Sequence, residues 1–128
     1  MKHDELADMF NILKYTEIIG RSECIVPASN LIKNVLDVIK KMGYIGDYEP
    51  VKAGTADRFK VNLIGKINNC NVIRPRFSVA KTEFIKWEKR LLPADNIGIL
   101  ILTTPKGVLD QREARKIGTG GKLLGYVY

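Results

Sequence analysis

Histidine occurs once in these 128 residues and cysteine twice. The one histidine, His3, stands in the terminal run Met1-Lys2-His3-Asp4-Glu5. A Ser-His-Asp or Cys-His catalytic set would have to draw on a residue expected to fray. Cys24 and Cys70 form no C-x-x-C pair and have no histidine pair to complete a zinc ligand set. Both thiols are expected buried and reduced rather than bridged. Carboxylates are few in the second half, where Asp95, Asp110 and Glu113 form no evident acid/base pair. Long apolar runs are missing as well. The longest, Ile97 to Leu102, falls far short of the ~20 residues a membrane helix needs and reads as a buried strand. The start carries no apolar signal region, so a cytosolic chain without a secretory leader is expected.

What the chain does have is positive charge in one place. Lys and Arg number 21 against 14 Asp and Glu, a net +7. Residues 1–64 hold 9 basic and 9 acidic residues, whereas residues 65–128 hold 12 and 5, so the whole excess lies in the second half. Such an asymmetry points to a polyanion-binding half beside a neutral one. With 45% hydrophobic and 27% charged residues the composition is that of a globular chain, not a disordered one.

The pattern predicts a helix over residues 4–19, with Leu6, Met9, Phe10, Leu13 and Ile18 at helical spacing and Gly20 ending it. A short strand, 23–26, closes at Pro27. Ser29 is a good N-cap for a helix over 30–42 whose apolar face runs from Leu31 to Met42, with Gly43 as its stop. Tyr44 to Tyr48 is a short strand ending before Pro50, and Gly54-Thr55 is a turn. Arg58 to Ile64 alternates, with Phe59, Val61 and Leu63 on one face. Residues 65–71 read as a polar linker. Val72 to Val79 is extended because Pro75 forbids a helix interior. Lys81 to Leu91 is a basic helix, capped by Thr82, with Phe84, Trp87 and Leu91 on its core face and Pro93 stopping it. Ile97 to Thr103 is a strand whose unbroken apolar character implies burial on both faces. Thr104 to Gly107 is a loop, Asp110 caps a helix over 111–116, Gly118, Gly120 and Gly121 make a turn, and Lys122 to Tyr128 is a last strand.

The fold class is therefore α/β in the α+β sense. Two small packed modules are expected: residues 1–65 as helix-strand-helix-strand-strand, then 66–128 as a mostly β basic module with one or two short helices. Each half has about 60 residues, marginal for independent stability, so the two should pack on each other.

Several groups in the basic half could meet a polyanion. Gly118-Thr119-Gly120-Gly121-Lys122 lacks the G-x-x-x-x-G-K-[ST] spacing and precedes a strand, so it is no nucleotide-hydrolysis loop but a turn permitting close backbone approach. Thr103-Thr104-Pro105-Lys106-Gly107 offers hydroxyls, a lysine and a glycine without bulk; taken alone it is equally a polar turn. Arg74 and Arg76 share one face of an extended segment, either as a phosphate ladder or as a basic edge. Lys86, Lys89 and Arg90 oppose the core face of the third helix, Arg112 and Arg115 lie on the fourth, and Tyr126 and Tyr128 share one side of the last strand.

Four stretches, Lys41 to Glu49, Gly65 to Phe77, Leu91 to Asp95, and Glu113 to Lys116 with Gly120 to Gly125, occur in the order that resembles the family of small-subunit ribosomal protein number eight. The Asn69-Cys70 and Ile73-Arg74-Pro75-Arg76-Phe77 stretch is similar to its archaeal and eukaryotic branch, and the resemblance covers residue 4 onwards. It implies a structural constituent of the small ribosomal subunit with two α/β modules, no catalysis and no cofactor. It also implies direct, early binding to the central domain of the small-subunit RNA, mostly through the second module, in a cytoplasmic ribosome. Mapped onto this chain, the implied RNA-binding residues are Thr103, Thr104, Lys106, Gly107, Gly120, Gly121 and Lys122. Arg74, Arg76, Arg112, Arg115 and Ser29 join them. The implied partners are ribosomal RNA and neighbouring small-subunit proteins, with no membrane and no small-molecule substrate. The chain departs from its relatives at Pro105, where Ser or Thr is usual, at Asn30, where Lys is usual, and at Ile12, Leu13 and Tyr15, where the first helix is usually more polar. The rivals are an RNA-binding translation factor outside the ribosome and a small basic RNA-processing enzyme, the latter lacking a general base.

Overall fold

The computed structural model describes residues 5–53, 56–73, 78–94 and 97–128. Helix α1 (Glu5–Ile18) is followed by β1 (Glu23–Pro27), α2 (Asn30–Lys41), β2 (Ile45–Ala53) and β3 (Ala56–Leu63). The second half holds β4 (Cys70–Val72), β5 (Ser78–Val79), a 3-10 turn (Lys81–Glu83), α3 (Phe84–Leu91), β6 (Ile99–Thr104), β7 (Gly107–Asp110), α4 (Gln111–Ile117) and β8 (Gly121–Val127). The strands form two antiparallel sheets, one ordered β1-β3-β2 and one β4-β8-β6-β7 with β5 also paired to β8. This is the α+β class expected, and the first five elements come in the expected order.

Each helix forms for a local reason. In α1 the acids Glu5 and Asp8 sit in the first turn, where the helix dipole favours them, and Leu6, Met9, Phe10 and Leu13 are buried. Ile18, expected on that face, is 70% exposed; the buried position one turn from Leu13 belongs to Thr16, whose hydroxyl donates to the Ile12 carbonyl at 2.7 Å. In α2 the Ser29 hydroxyl oxygen accepts from the Ile32 amide at 3.2 Å, satisfying one of the free amides of the first turn. Its buried face is Ile32, Val35, Leu36, Val38 and Ile39, and Lys33, Asn34, Asp37, Lys40 and Lys41 are exposed, as expected. The helix ends on Met42 as cap, one residue before Gly43.

Five expectations need correction. β2 does not stop before Pro50 but runs through it to Ala53; it is an edge strand, and an edge tolerates a residue without an amide proton. Gly54-Thr55 lies outside the described residues. Residues 65–71 are not a free linker: Ile67 and Cys70 are buried, and the Asn68 and Asn69 amides both donate to the Tyr128 carbonyl, at 2.6 and 2.9 Å. Thr82 does not cap the third helix; the Glu83 carboxylate instead accepts from the Ala80 amide at 3.0 Å. Residues 104–107 are a two-residue hairpin rather than a loop, because Thr104 still pairs with Gly107 and β7 continues to Asp110. Asp110 does stand at the N-cap of α4, but its side chain makes no capping bond.

Two apolar cores flank the second sheet. The first gathers α1, α2 and the inner face of the first sheet onto Ile99, Ile101, Leu124 and Val127. The second gathers Phe84, Trp87 and Ala114 onto Leu100, Leu102 and Leu123. Thus β6 sends alternate side chains to opposite cores, the two-faced burial its composition implies. β8 does the same with one adjustment. Its register shifts between Ile101 and Leu102, so that Leu124 is an extra residue and can face the first core beside Gly125. Gly125 has no room for a side chain: a Cβ there would lie 2.6 Å from the Phe10 ring and 2.8 Å from the Asn71 carbonyl oxygen. The two helices of the first half straddle both sheets, α1 against β1 and β4, α2 against β2 and β7.

The sheets thus share one core, and the segment 1–65 should not fold alone. Without Ile99, Ile101, Leu124 and Val127 it would lose four contacts' worth of burial, at roughly 1.5–3 kcal/mol per large apolar side chain. Expressed alone, it should be poorly soluble and melt without cooperativity by circular dichroism; a sharp, reversible transition would contradict the shared core. Gly125→Ala should destabilise the full chain by about 1–3 kcal/mol in urea titration, because the Phe10 ring has no space to yield in a filled core.

Candidate nucleic-acid interface

At the Thr103 end of the β6–β8 pair the side chains pass from buried to half-buried and exposed. Here Thr103 pairs with Lys122, and Lys122 in turn pairs with Ser78, so three adjacent strands set Ser78, Lys122 and Thr103 in one cross-strand row. Thr104, Pro105 and Gly121 complete an open concavity whose other wall is Val79, Ala80 and Glu83. Lys122 and Lys106 are exposed, the latter at the hairpin tip.

The hairpin is internally wired. The Thr104 hydroxyl donates to the Gly107 carbonyl at 2.8 Å and accepts from the Lys106 amide at 3.1 Å. A hydroxyl has one proton and two lone pairs, so Thr104 keeps only one acceptor site for an outside partner. Pro105 holds the second position of the turn, where its fixed φ fits, and Gly107 takes a φ of 117° at its fourth. Among the described residues, the hydroxyls of Thr103 and Ser78 have no hydrogen-bond partner, so both can donate and accept. Ser78 was not among the sequence candidates. Only its pairing with Lys122 brings it to the row, and nothing in its local sequence signals that.

Gly121 is explained by the fold. A Cβ there would lie 2.4 Å from the Thr103 carbonyl oxygen and 2.8 Å from the Thr104 methyl carbon, so glycine lets the start of β8 close against β6. Gly120 precedes it, half-buried, its carbonyl accepting from the Thr119 hydroxyl at 3.0 Å. Gly118, with φ 81°, ends α4 in the left-handed region.

The remaining candidates are dispersed. Arg74 and Arg76 lie outside the described residues. Arg112 and Arg115 are exposed on α4; Arg115 pairs with Glu88 of α3 and its guanidinium sits 5.9 Å from the Phe84 ring centroid. That pair links α3 to α4. Ser29 spends its oxygen on capping α2 and borders a different concavity, with Lys33 and Arg58. Trp87 and Phe84 are core residues, with Arg90 over the indole at 5.3 Å, and Lys86, Lys89 and Arg90 form an exposed basic face. Tyr126 and Tyr128 stack on each other at 6.0 Å and pack against the second core.

The thiols stay out of the chemistry. The Cys70 thiol donates to the Phe10 carbonyl at 3.4 Å, and burial pushes its pKa to about 12. Burial likewise raises Cys24 to about 11. A thiol so shifted is neither a nucleophile nor a ready metal ligand at neutral pH. Of the three departures in α1, Leu13 is buried, Ile12 is half-buried against the core, and only Tyr15, 66% exposed, reaches the surface.

What the arrangement can do is bind. It offers two free hydroxyls, two exposed lysines, backbone groups at a tight turn and no bulky side chain, a set suited to 2′-hydroxyls, phosphates and base edges. The family model described as Ribosomal protein S8 matches residues 4–128. The small ribosomal subunit protein uS8 of Methanococcoides burtonii is 55% identical over 126 residues, covering 98% of this chain and 97% of that protein. The protein of the same name from Picrophilus torridus is 46% identical over 129 residues, the whole of both chains. Both come from archaea, in line with the branch that the Asn69 to Phe77 stretch resembles. On a match that runs nearly end to end, the chain belongs to the ribosomal protein S8 family.

Proposed function

We propose that this chain is a structural constituent of the small ribosomal subunit that holds the central domain of the small-subunit RNA directly and supports its assembly. It does so through the end of the β6–β8 pair. The observation that carries the reading is the row Ser78–Lys122–Thr103 beside the hairpin, a small-residue surface at the open end of a rigid strand pair. Lys122 and Lys106 supply phosphate contacts. Thr103 and Ser78 supply hydroxyls that donate and accept. Thr104 closes the hairpin and accepts one further bond, from a 2′-hydroxyl or a base amino group. Arg74, Arg76, Arg112 and Arg115 extend the positive field, and Ser29 with Lys33 and Arg58 forms a lesser contact from the first half.

This role needs no catalyst, and the family is one of structural ribosomal proteins, not enzymes. Its surroundings are ribosomal RNA and other ribosomal proteins, in the cytoplasmic ribosome. No helix among the described residues is long and apolar enough to cross a membrane.

Titration of a small-subunit RNA fragment with the purified protein tests the assignment. Lys106→Ala and Lys122→Ala should each weaken binding and lower the magnitude of the log–log salt slope by about 0.7–0.9. Lys40→Ala and Lys41→Ala should leave the slope nearly unchanged, and equal losses from both pairs would contradict the location. The hydroxyls are tested separately. Thr104→Ala should cost roughly ten-fold in RNA affinity, about the worth of a charged or buried hydrogen bond left unmade, and Thr104→Ser should restore it. Pro105→Ser should change affinity little. Near-normal binding by Thr104→Ala would mean that the hairpin needs no hydroxyl to hold its shape or its ligand.

A further inference from the structure

On the opposite flank of the hairpin, a groove runs between α2 and the β7–α4 corner, and its sign is reversed. Its carboxylates are Asp37 from α2 and Asp110 and Glu113 from the corner; its one cation is Lys41, with Nζ 3.9 Å from Glu113 Oε2. Val38 and Val108 give it an apolar floor. Three acids against one base make a negative pocket on a chain whose net charge is +7.

The acids are not all spent inside the protein. Asp37 accepts a bond from the Tyr48 hydroxyl, and Glu113 faces Lys41. Asp110 is different. It is only 4% exposed and lines the groove, yet among the described residues its carboxylate has no hydrogen-bond or ion-pair partner. At the N-cap of α4 it would ordinarily turn back onto the first amides of the helix, and here it does not. Its only way out to water is the groove, so a cation docked there would bond a carboxylate that has no partner among the described residues.

We propose that this groove docks an arginine- or lysine-bearing segment of a neighbouring protein in the small subunit. One cationic side chain would reach Asp110 while its aliphatic stem lies on Val38 and Val108. The sign of the groove argues against RNA as occupant, since phosphates would be repelled there. A planar guanidinium fits the site better than an ammonium, because it can bond Asp110 and Glu113 together. The inference relies on the ribosomal reading only for the source of the segment; the groove itself can be tested on the isolated chain.

The test is an amide NMR titration of the full-length protein with hexa-arginine peptide, with spermidine and a short single-stranded RNA as parallel arms. Saturable shifts confined to Asn34, Val108, Leu109, Asp110 and Glu113 are expected with the peptide. Asp110→Asn should weaken that binding about ten-fold, as one charge-assisted bond is lost. Glu113→Gln, at a half-buried site and safer for folding, should weaken it by a smaller factor. RNA affinity should be unchanged in both variants. Peptide shifts scattered over the surface, or undiminished in both variants, would overturn the proposal. So would spermidine binding as tightly as the peptide, which would make the groove a polyamine site. Loss of RNA affinity in Asp110→Asn would assign the groove to the RNA interface instead, leaving the hairpin reading intact.

Discussion

Between residues 99 and 102, consecutive side chains of β6 enter different cores: Ile99 and Ile101 meet the helices of the first half, Leu100 and Leu102 meet α3 and α4. β8 matches it across the ladder, with Leu124 and Val127 on one side and Leu123 on the other. A strand pair buried on both faces cannot shift register without exposing one set of side chains and burying the other wrongly. That constraint joins the two halves and fixes the angle at which the pair emerges into solvent. The bulge at Leu124 and the bare backbone of Gly125 under Phe10 are local accommodations to it.

The consequence for binding is preorganisation. Where the same two strands leave the cores, their next residues are Thr103, Thr104, Gly121 and Lys122. The hairpin that joins β6 to β7 is closed by its own threonine and stiffened by Pro105, so little ordering entropy remains to be lost when a ligand arrives. Charge is distributed to match. Lysines occupy the exposed end and tip, whereas the carboxylates of α2 and the β7–α4 corner gather on the other flank of the hairpin. On the proposed reading, one edge would attract a polyanion and the adjoining one repel it, which would orient the protein on its RNA.

Much of this was legible from residues alone, and the exceptions have physical causes. The two helices of the first half announced themselves through apolar spacing, acids at the start of α1 and the Ser29 cap, and β6 through an apolar run too short for a membrane and too unbroken for a half-exposed strand. β4 and β7 were hidden because each has four residues or fewer, too few to show a period, and each exists only by pairing with β8 or β6; β5 falls at the end of the extended segment expected over 72–79, but its pairing with β8 was not legible. The polar run around Asn68 and Asn69 concealed a clamp because its bonds to Tyr128 use backbone groups, which composition does not reveal. At the candidate interface, Thr103, Thr104 and Lys122 were visible as types, but the different hydrogen bonding of the two threonines depends on a hairpin geometry that sequence does not carry. Ser78 was not a candidate because only the pairing of β5 with β8 brings it beside Lys122.

If the β6–β8 pair is what both halves share, the protein must open as one cooperative unit. Native-state hydrogen exchange measures this directly. The account predicts that the slowest amides of β1 and β3 open with the same free energy as those of β6 and β8, within about 1 kcal/mol, and respond equally to denaturant. If the β1–β3 amides instead opened well below the β6–β8 amides, with a smaller denaturant dependence, the halves would be separate folding units and the shared strand pair would not be what holds the protein together.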